Sequence, residues 1–437
     1  MTHLSNVPLD VLAVIATFLT NKDIVNLSIC SKNLHDIVYV AKFTRRIKAR
    51  IATGTSYFDS FVNMEFYHPI ILPKNLQILH WNCHVSLPEL PKSITHLKFG
   101  TRYNRSLPDN LPLTITYLKF GKLYNQPLPI LPNSITCIKF GKCYNLPLPD
   151  NLPISLRELV FGAKYNLPLP DNLPGSLISI IFGARYDRAL PPNLPNTITH
   201  LIFDPNSNYN QPLPSTLPTS LTHLVFGMAY NRSLPTNLQT SLTHLTFGKA
   251  YDKSLPTNLP TSLTHLTFGN RYCRVLPTNL PASLTHLTFG RCYNRSLSAN
   301  LPASLTHLTF GHCYNRLLPA NLPALTHLIF GSNYDRSLPL NLPNTLTHLI
   351  FGESYNQPLP EYLPVNLIHL EFGIGSRYNQ PLPECLPETL LMLKFGFVYN
   401  YALLSLPKSL RNLRINTMVT LPSELPTDLE IEYLPMF

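Results

Sequence analysis

The chain has 437 residues, 44% of them hydrophobic and 13% charged, and 34 Lys and Arg against 23 Asp and Glu leave a formal charge of +11. Its 43 prolines against 17 glycines exclude long helices over most of the length, because an interior proline removes a helical hydrogen bond and clashes with the preceding turn. The positive excess favours acidic partners, which include nucleic acid, anionic membranes and acidic protein patches, without choosing among them.

Residues 1–45 contain no repeat and read as three short helices. Ser5-Asn6 can cap the first, Pro8 suits its first turn, and Leu12, Ile15, Ala16 and Leu19 share one face. Asn21 can cap a second helix carrying Ile24, Leu27 and Cys30, and Ser31 a third carrying Leu34, Ile37 and Val38. The apolar run Val11 to Leu19 follows Asp10 and lacks a basic flank, so it does not read as a signal peptide.

This layout resembles an F-box. The matching positions are Val7-Pro8, Leu12, Ile15, Leu19, Asp23-Ile24, Leu27 and Cys30-Ser31-Lys32, and Leu34 stands where the motif often has Trp. The resemblance implies that Val7, Pro8, Leu12, Ile15, Leu19, Ile24 and Leu27 dock the Skp-type adaptor of a cullin ubiquitin ligase. So small a module is marginal alone, which fits one completed by a partner. A helical cap for the following array is the alternative.

After a linker at 46–70, residues 71–435 restate one sentence, L-P-x-N-L-P-x-S-L-T-H-L-T-F-G-x-x-Y-N-R-S. Its Phe anchors stand at 99, 120, 140, 161, 182, 203, 226, 247, 268, 289, 310, 330, 351, 372 and 395, with ten intervals of 21 residues, two of 20 and two of 23. So tight a period means one coil per unit, stacked in a line. H-L-T-F alternates polar and apolar residues as a half-buried strand does, so Leu245 and Phe247 point inward while His244 and Thr246 point outward. Gly248 ends the strand, and the proline-rich return is extended with its leucines inward. The expected fold is mostly β, a leucine-rich-repeat-like parallel β-solenoid of about 15–17 coils, with strands about 4.8 Å apart. Its worn ends read as caps: Leu76, Leu79 and Trp81 in front, then Leu410 to Ile415 and Leu425 to Ile431 behind.

The units resemble leucine-rich repeats and, more closely, the FNIP repeat, whose signature carries the same Phe-Gly, aromatic-Asn and Leu/Ile-Pro elements. Tyr replaces Phe before Asn here, and Asn falls two residues later than in ordinary leucine-rich repeats, so their asparagine ladder does not follow. The pairing with an F-box resembles the F-box and FNIP repeat-containing proteins of giant amoeba viruses. That resemblance implies a substrate receptor acting inside the host cell, in cytoplasm or nucleus; a scaffold or decoy solenoid without ligase activity is the alternative, and a nucleic-acid-binding solenoid a weaker one.

Two positions per strand face outward. Three residues before Phe stand nine consecutive histidines, at 200, 223, 244, 265, 286, 307, 327, 348 and 369. A straight ladder does not offer the tetrahedral cage that zinc prefers, so no metal is expected. Crowded imidazoles should stay neutral at pH 7. One residue before Phe, the repeat breaks: Lys98, Lys119 and Lys139 form a basic corner beside Val160, Ile181, Ile202 and Val225. That pairing suits an acidic target segment with hydrophobic anchors, unless it is drift in early copies.

A cationic stripe (Arg105, Arg188, Arg232, Lys253, Arg274, Arg295, Arg316, Arg336) follows Tyr-Asn. Because the neighbouring Tyr should pack rather than stack on bases, a solvated edge is favoured over nucleic acid. The two longer intervals insert residues at 204–208 and 373–377, which can mark an interaction side. The eight cysteines show no C-x-x-C pair and no framework, and no apolar run approaches the roughly 20 residues a membrane span needs, so free thiols and no membrane are expected. No glycine-rich phosphate loop or isolated catalytic constellation occurs, and no cofactor or enzyme activity is expected. The chain is expected to be monomeric apart from its complex.

Overall fold

The computed structural model describes residues 9–20, 22–24, 26, 37–40, 43, 46–52, 55, 58–68, 71–236, 238 and 241–435. The chain divides into two compact units, residues 1–198 and 199–437, both built from the same coil.

In the first unit, β1 (Ile47–Lys48), β2 (Asn63–Phe66), β3 (Ile78–Trp81), β4 (His96–Phe99), β5 (Tyr117–Lys119), β6 (Cys137–Lys139), β7 (Glu158–Val160) and β8 (Ser179–Phe182) pair in chain order. Every pairing is parallel. In the second unit, the twelve strands from β9 (His200–Phe203) to β20 (Glu430–Leu434) do the same, each equivalent residue opposite its copy, as in His265↔His286 and Leu266↔Leu287. The alternation appears as read: Leu245 and Phe247 are buried while His244 and Thr246 are half-buried.

Two turns recur along the described coils. The Tyr N–H donates to the Gly carbonyl three residues back, as in Tyr124 to Gly121 at 3.3 Å. The last Leu or Ile of the return donates to Pro in the same way, as in Leu156 to Pro153 at 3.0 Å. The prolines thus sit where their missing N–H is not needed and their carbonyl is.

Beside the buried leucines, the interior holds flat rings in register. Phe120 and Phe140 lie 5.4 Å apart at 8° and Tyr124 and Tyr144 6.2 Å apart at 13°, while Phe120 stacks on Tyr124 of its own coil at 4.0 Å. Tyr103, Tyr124 and Tyr144 are fully buried. The Tyr144 hydroxyl donates to the Pro147 carbonyl at 3.3 Å.

Polar residues bind along the axis. Asn125 N–H donates to Asn104 Oδ1, and Asn145 N–H to Asn125 Oδ1, both at 2.8 Å. This is an asparagine ladder after all, with geometry of its own because Asn stands in the turn after Tyr. The Ser134 hydroxyl likewise donates to the Ile115 carbonyl one turn earlier, at 2.7 Å.

The 23-residue turns absorb their extra residues in one way. Ser207 and Ser376 are fully buried and accept the N–H of Tyr209 and Tyr378 at 3.1 Å, so both insertions help hold the aromatic ladder.

Helices begin the first unit. α1 (Leu9–Thr17) packs on α2 (Ile37–Val40), which lies against a turn at Phe58–Ser60; α3 (Ala49–Ala52) sits against β1 and β2. Leu12, Ile24, Ile37 and Val38 are at most 1% exposed, and Phe43 stacks on Phe61 at 4.7 Å. Residues 46–70, read from sequence as a linker, hold β1 and β2. Met64 and Phe66 are fully buried there, which carries the parallel register upstream of β3 without any Phe-Gly.

The glycine after Phe is required by close approach. A methyl built at Gly162 would overlap the carbonyl of Gly141 one turn earlier, whereas one at Gly175 meets nothing within 4 Å. Gly162→Ala is expected to destabilise the chain by about 2 kcal/mol, the usual scale of overpacking. Gly175→Ala should leave stability unchanged or slightly higher. Urea unfolding of the two variants checks the pair, and equal midpoints would contradict the close-approach argument.

Candidate functional site

The residues singled out from sequence fall on the N-terminal helices and on the outward row of the sheet. Among those on the N-terminal helices, Val7, Pro8 and Leu27 lie outside the described residues. Leu12 and Ile24 are buried inside the module and support it from within, while Ile15 and Leu19 are half-buried. The residues turned outward are others: Val11 and Val14 on α1 and Phe18 in the turn after it, 42%, 59% and 84% exposed. Their i, i+3, i+7 spacing was legible, but an apolar stripe on each side of one short helix does not say which side faces in.

The second surface is the outward row of the sheet. Lys98, Lys119 and Lys139 are register partners on β4, β5 and β6, followed by Val160 on β7 and Ile181 on β8. In the second unit, Ile202 and Val225 pair on β9 and β10 (His223–Val225). Val160, Ile181, Ile202 and Val225 are all half-buried, so the apolar side chains keep surface available.

The basic corner is not uniform. Lys139 Nζ binds Glu158 Oε1 at 2.9 Å. Burial pushes the Glu158 carboxyl up, but hydrogen bonds from Lys139 and Cys137 outweigh it and hold it below the usual carboxylate range. Lys98 lies over the Tyr117 ring, Nζ 5.6 Å from its centre. Lys119 is exposed.

The histidine ladder of the second unit is a stack. Ring centres from His200 to His348 are 4.0–4.4 Å apart with planes within 14°. At His369 the stacking ends; it meets His348 edge-on and its Nε2 lies 2.9 Å from Glu371. From Thr222 to Thr347, each threonine before a histidine gives its single hydroxyl hydrogen to the threonine carbonyl one turn earlier, as Thr285 does to Thr264 at 3.1 Å. It can therefore only accept from the imidazole 2.8 Å away, so the hydrogen-bond network assigns the proton to His286 Nδ1 and leaves Nε2 bare. Parallel rings hold these lone pairs side by side instead of converging on a point. Among the described residues, no group of three or more His, Cys, Asp or Glu could hold a metal ion.

The cationic edge is tied to the coil. Arg188 Nε donates to the Asn166 carbonyl at 3.0 Å, and Arg232 Nε to the Asn210 carbonyl at 2.9 Å. Cys292 and Cys313 are free thiols. Among the described residues, no helix is long and apolar enough to cross a membrane.

Comparison with known proteins fits this geometry. The FNIP Repeat model matches ten segments, residues 86–123, 124–164, 144–185, 165–205, 186–229, 230–271, 275–313, 314–354, 355–397 and 378–417, well over half of the chain. The F-box domain model matches residues 4–46. The chain belongs to the FNIP-repeat family and carries an F-box. Among solved structures, this FNIP-repeat protein is similar to CroV588, described as a novel circular LRR protein, with 31% identity and a TM-score of 0.65 over 86% of this chain and 70% of that one. It shares its fold with YopM from Yersinia enterocolitica WA-314, at 24% identity and a TM-score of 0.55 over 85% and 90% of the two chains. A search of curated proteins found no match. An F-box joined to a leucine-rich-repeat-like solenoid is the make-up of a protein-binding adaptor.

The ladder has a pH signature. Burial, then the neighbouring imidazoles, lower the pKa of His265, His286, His307, His327 and His348. A base whose folded pKa lies below its unfolded value binds fewer protons when folded, so its contribution is intact above about pH 6.5 and is lost as pH falls below that. The melting temperature is expected to be level from pH 8 to 7 and to drop by several degrees by pH 5. His286→Gln with His307→Gln should flatten the drop. A level profile down to pH 5 in the unaltered chain would contradict the neutral ladder.

Proposed function

We propose that the chain is the substrate-recognition subunit of a Skp/cullin/F-box ubiquitin ligase. In this reading the N-terminal module, residues 1–45, docks the Skp-type adaptor and the solenoid holds a target protein. The observation that carries it is the joining of an F-box to a solenoid whose outward row departs from its repeat at Lys98, Lys119, Lys139, Val160 and Ile181. The contribution of such a subunit is proximity, since a target held beside the ligase reacts at a raised effective concentration. That role places the protein inside a cell, where cullin ligases act.

The outward face of α1 refines the adaptor contact. Exposed apolar groups of this size in so short a helix are what a partner's groove covers. Val14 and Phe18 then touch the adaptor, with Ile15 and Leu19 at the margin, and Leu12 and Ile24 keep the helix in place.

Co-precipitation of the full chain with a purified Skp-type adaptor tests this. The unaltered chain should bind, and Val14→Asp with Phe18→Asp should weaken binding at least 100-fold while the solenoid's melting transition stays put. Binding that survives both changes rejects the assigned face. No binding by the unaltered chain rejects the ligase role and leaves a scaffold or decoy that binds proteins alone.

A further inference from the structure

One place in the first unit gathers charge that the repeat does not encode. The outward row is neutral wherever the sequence is regular, and consecutive lysines occur in it only at Lys98, Lys119 and Lys139. Lys98 and Lys119 stand directly opposite on adjacent strands, an arrangement that costs stability when no anion lies between them. Among the described residues, neither has a carboxylate within ion-pair distance.

Beside this pair opens a cleft of about 800 Å3, whose lining adds Arg46, Arg102 and Lys122. That makes five cations against a single carboxylate, Glu65. Glu65 is already taken: Arg46, Tyr67 at 2.9 Å and Asn82 at 2.6 Å all donate to its Oε1. Burial pushes this carboxyl up, but those bonds outweigh it and hold it below the usual range, so it stays an engaged anion. Burial first, then Arg46 and Lys98, push the His80 imidazole in the same lining down to about 4. His80 is neutral there and can donate one hydrogen bond without adding to the repulsion. Four positive charges remain unmatched.

We propose that this cleft binds a phosphorylated side chain of the protein held by the solenoid. The inference rests on the target-binding reading and names the chemistry the target must carry. One carboxylate would answer only one of the four unmatched cations. A phosphate monoester brings close to two charges at pH 7 and three acceptor oxygens, which suits Lys98 and Lys119 side by side with Arg102 and Lys122 near them. Along the strand row the patch is bounded, as a single compact anion requires, while the turn slot of Arg102 and Lys122 continues through Lys142, Lys164 and Arg185. Along the row, Lys139 is matched by Glu158, and Val160 and Ile181 follow, whereas a nucleic acid backbone needs cations that continue along its path.

The test retains degenerate peptide pools on the immobilised full chain: eleven-residue pools centred on phosphoserine, phosphotyrosine, serine or glutamate, with single-stranded RNA as a fifth probe. One or both phosphorylated pools should be retained at least tenfold over the serine and glutamate pools. Lys98→Gln with Lys119→Gln should remove that preference, with a melting temperature equal to or above the original because a like-charge pair is relieved. Lys394→Gln should leave the preference intact. Equal retention of all peptide pools, a preference that survives the double change, or RNA retained at least as well as phosphopeptide each overturns the proposal. The target reading fails separately: if a protein is cross-linked to the solenoid and that capture ignores both phosphatase treatment and the double change, the phosphate site is wrong and the receptor role stands.

Discussion

A parallel coil sets each turn about 4.8 Å from the next, and every side chain that faces its copy at that distance must be complementary to itself. Most of the repeat follows from that one demand. Phe and Tyr are flat and stack on their copies, as the Phe120–Phe140 and Tyr124–Tyr144 pairs do. Asn and Ser carry groups that bind the backbone one turn away. Glycine follows Phe because the carbonyl of the previous glycine occupies the space a side chain would need. Charged residues fail the demand, since a lysine beside its own copy repels it, and only 13% of the chain is charged.

His223, His265, His286, His307, His327 and His348 meet the same demand through pKa values that burial and their neighbours lower, which favours the neutral ring. A threonine hydroxyl committed to a carbonyl fixes the Nδ1 proton, as at His286, whose ring stacks on its neighbours. The ladder is thus a structural column with a polar outer edge. Against that background, Lys98 beside Lys119 is a violation that the Tyr117 ring under Lys98 softens but that, among the described residues, no carboxylate offsets. A fold so strict about self-complementarity tolerates such a pair where something other than the fold benefits, and the exposed Val14 on α1 and Phe18 just after it are the second place where surface goes beyond what folding needs.

The coil was legible because its signals are local. A period-2 strand, a glycine and a proline-rich return each speak for themselves, so the burial of Leu245 and Phe247 and the packing of Tyr in its turn could be read residue by residue. What depends on the offset between turns was not. The asparagine ladder requires knowing where Asn104 Oδ1 lies relative to the Asn125 N–H, and Lys139 meets Glu158 across a diagonal of neighbouring strands. β1 and β2 escaped because they lack the Phe-Gly that marks the regular turns. The lining of the basic cleft was missed for a related reason: Arg46 and His80 precede the regular array, and only folding brings them beside Lys98.

The central claim is that the repeated positions build the scaffold and the departures from them bind. Its most direct test replaces Lys98, Lys119, Lys139, Val160 and Ile181 together with threonine, the residue the regular turns carry at that slot. Capture of cross-linked target in cells is then measured beside adaptor binding and the melting temperature. The account predicts an unchanged fold, unchanged adaptor binding and loss of the target. Target capture that persists with all five positions made regular would contradict it.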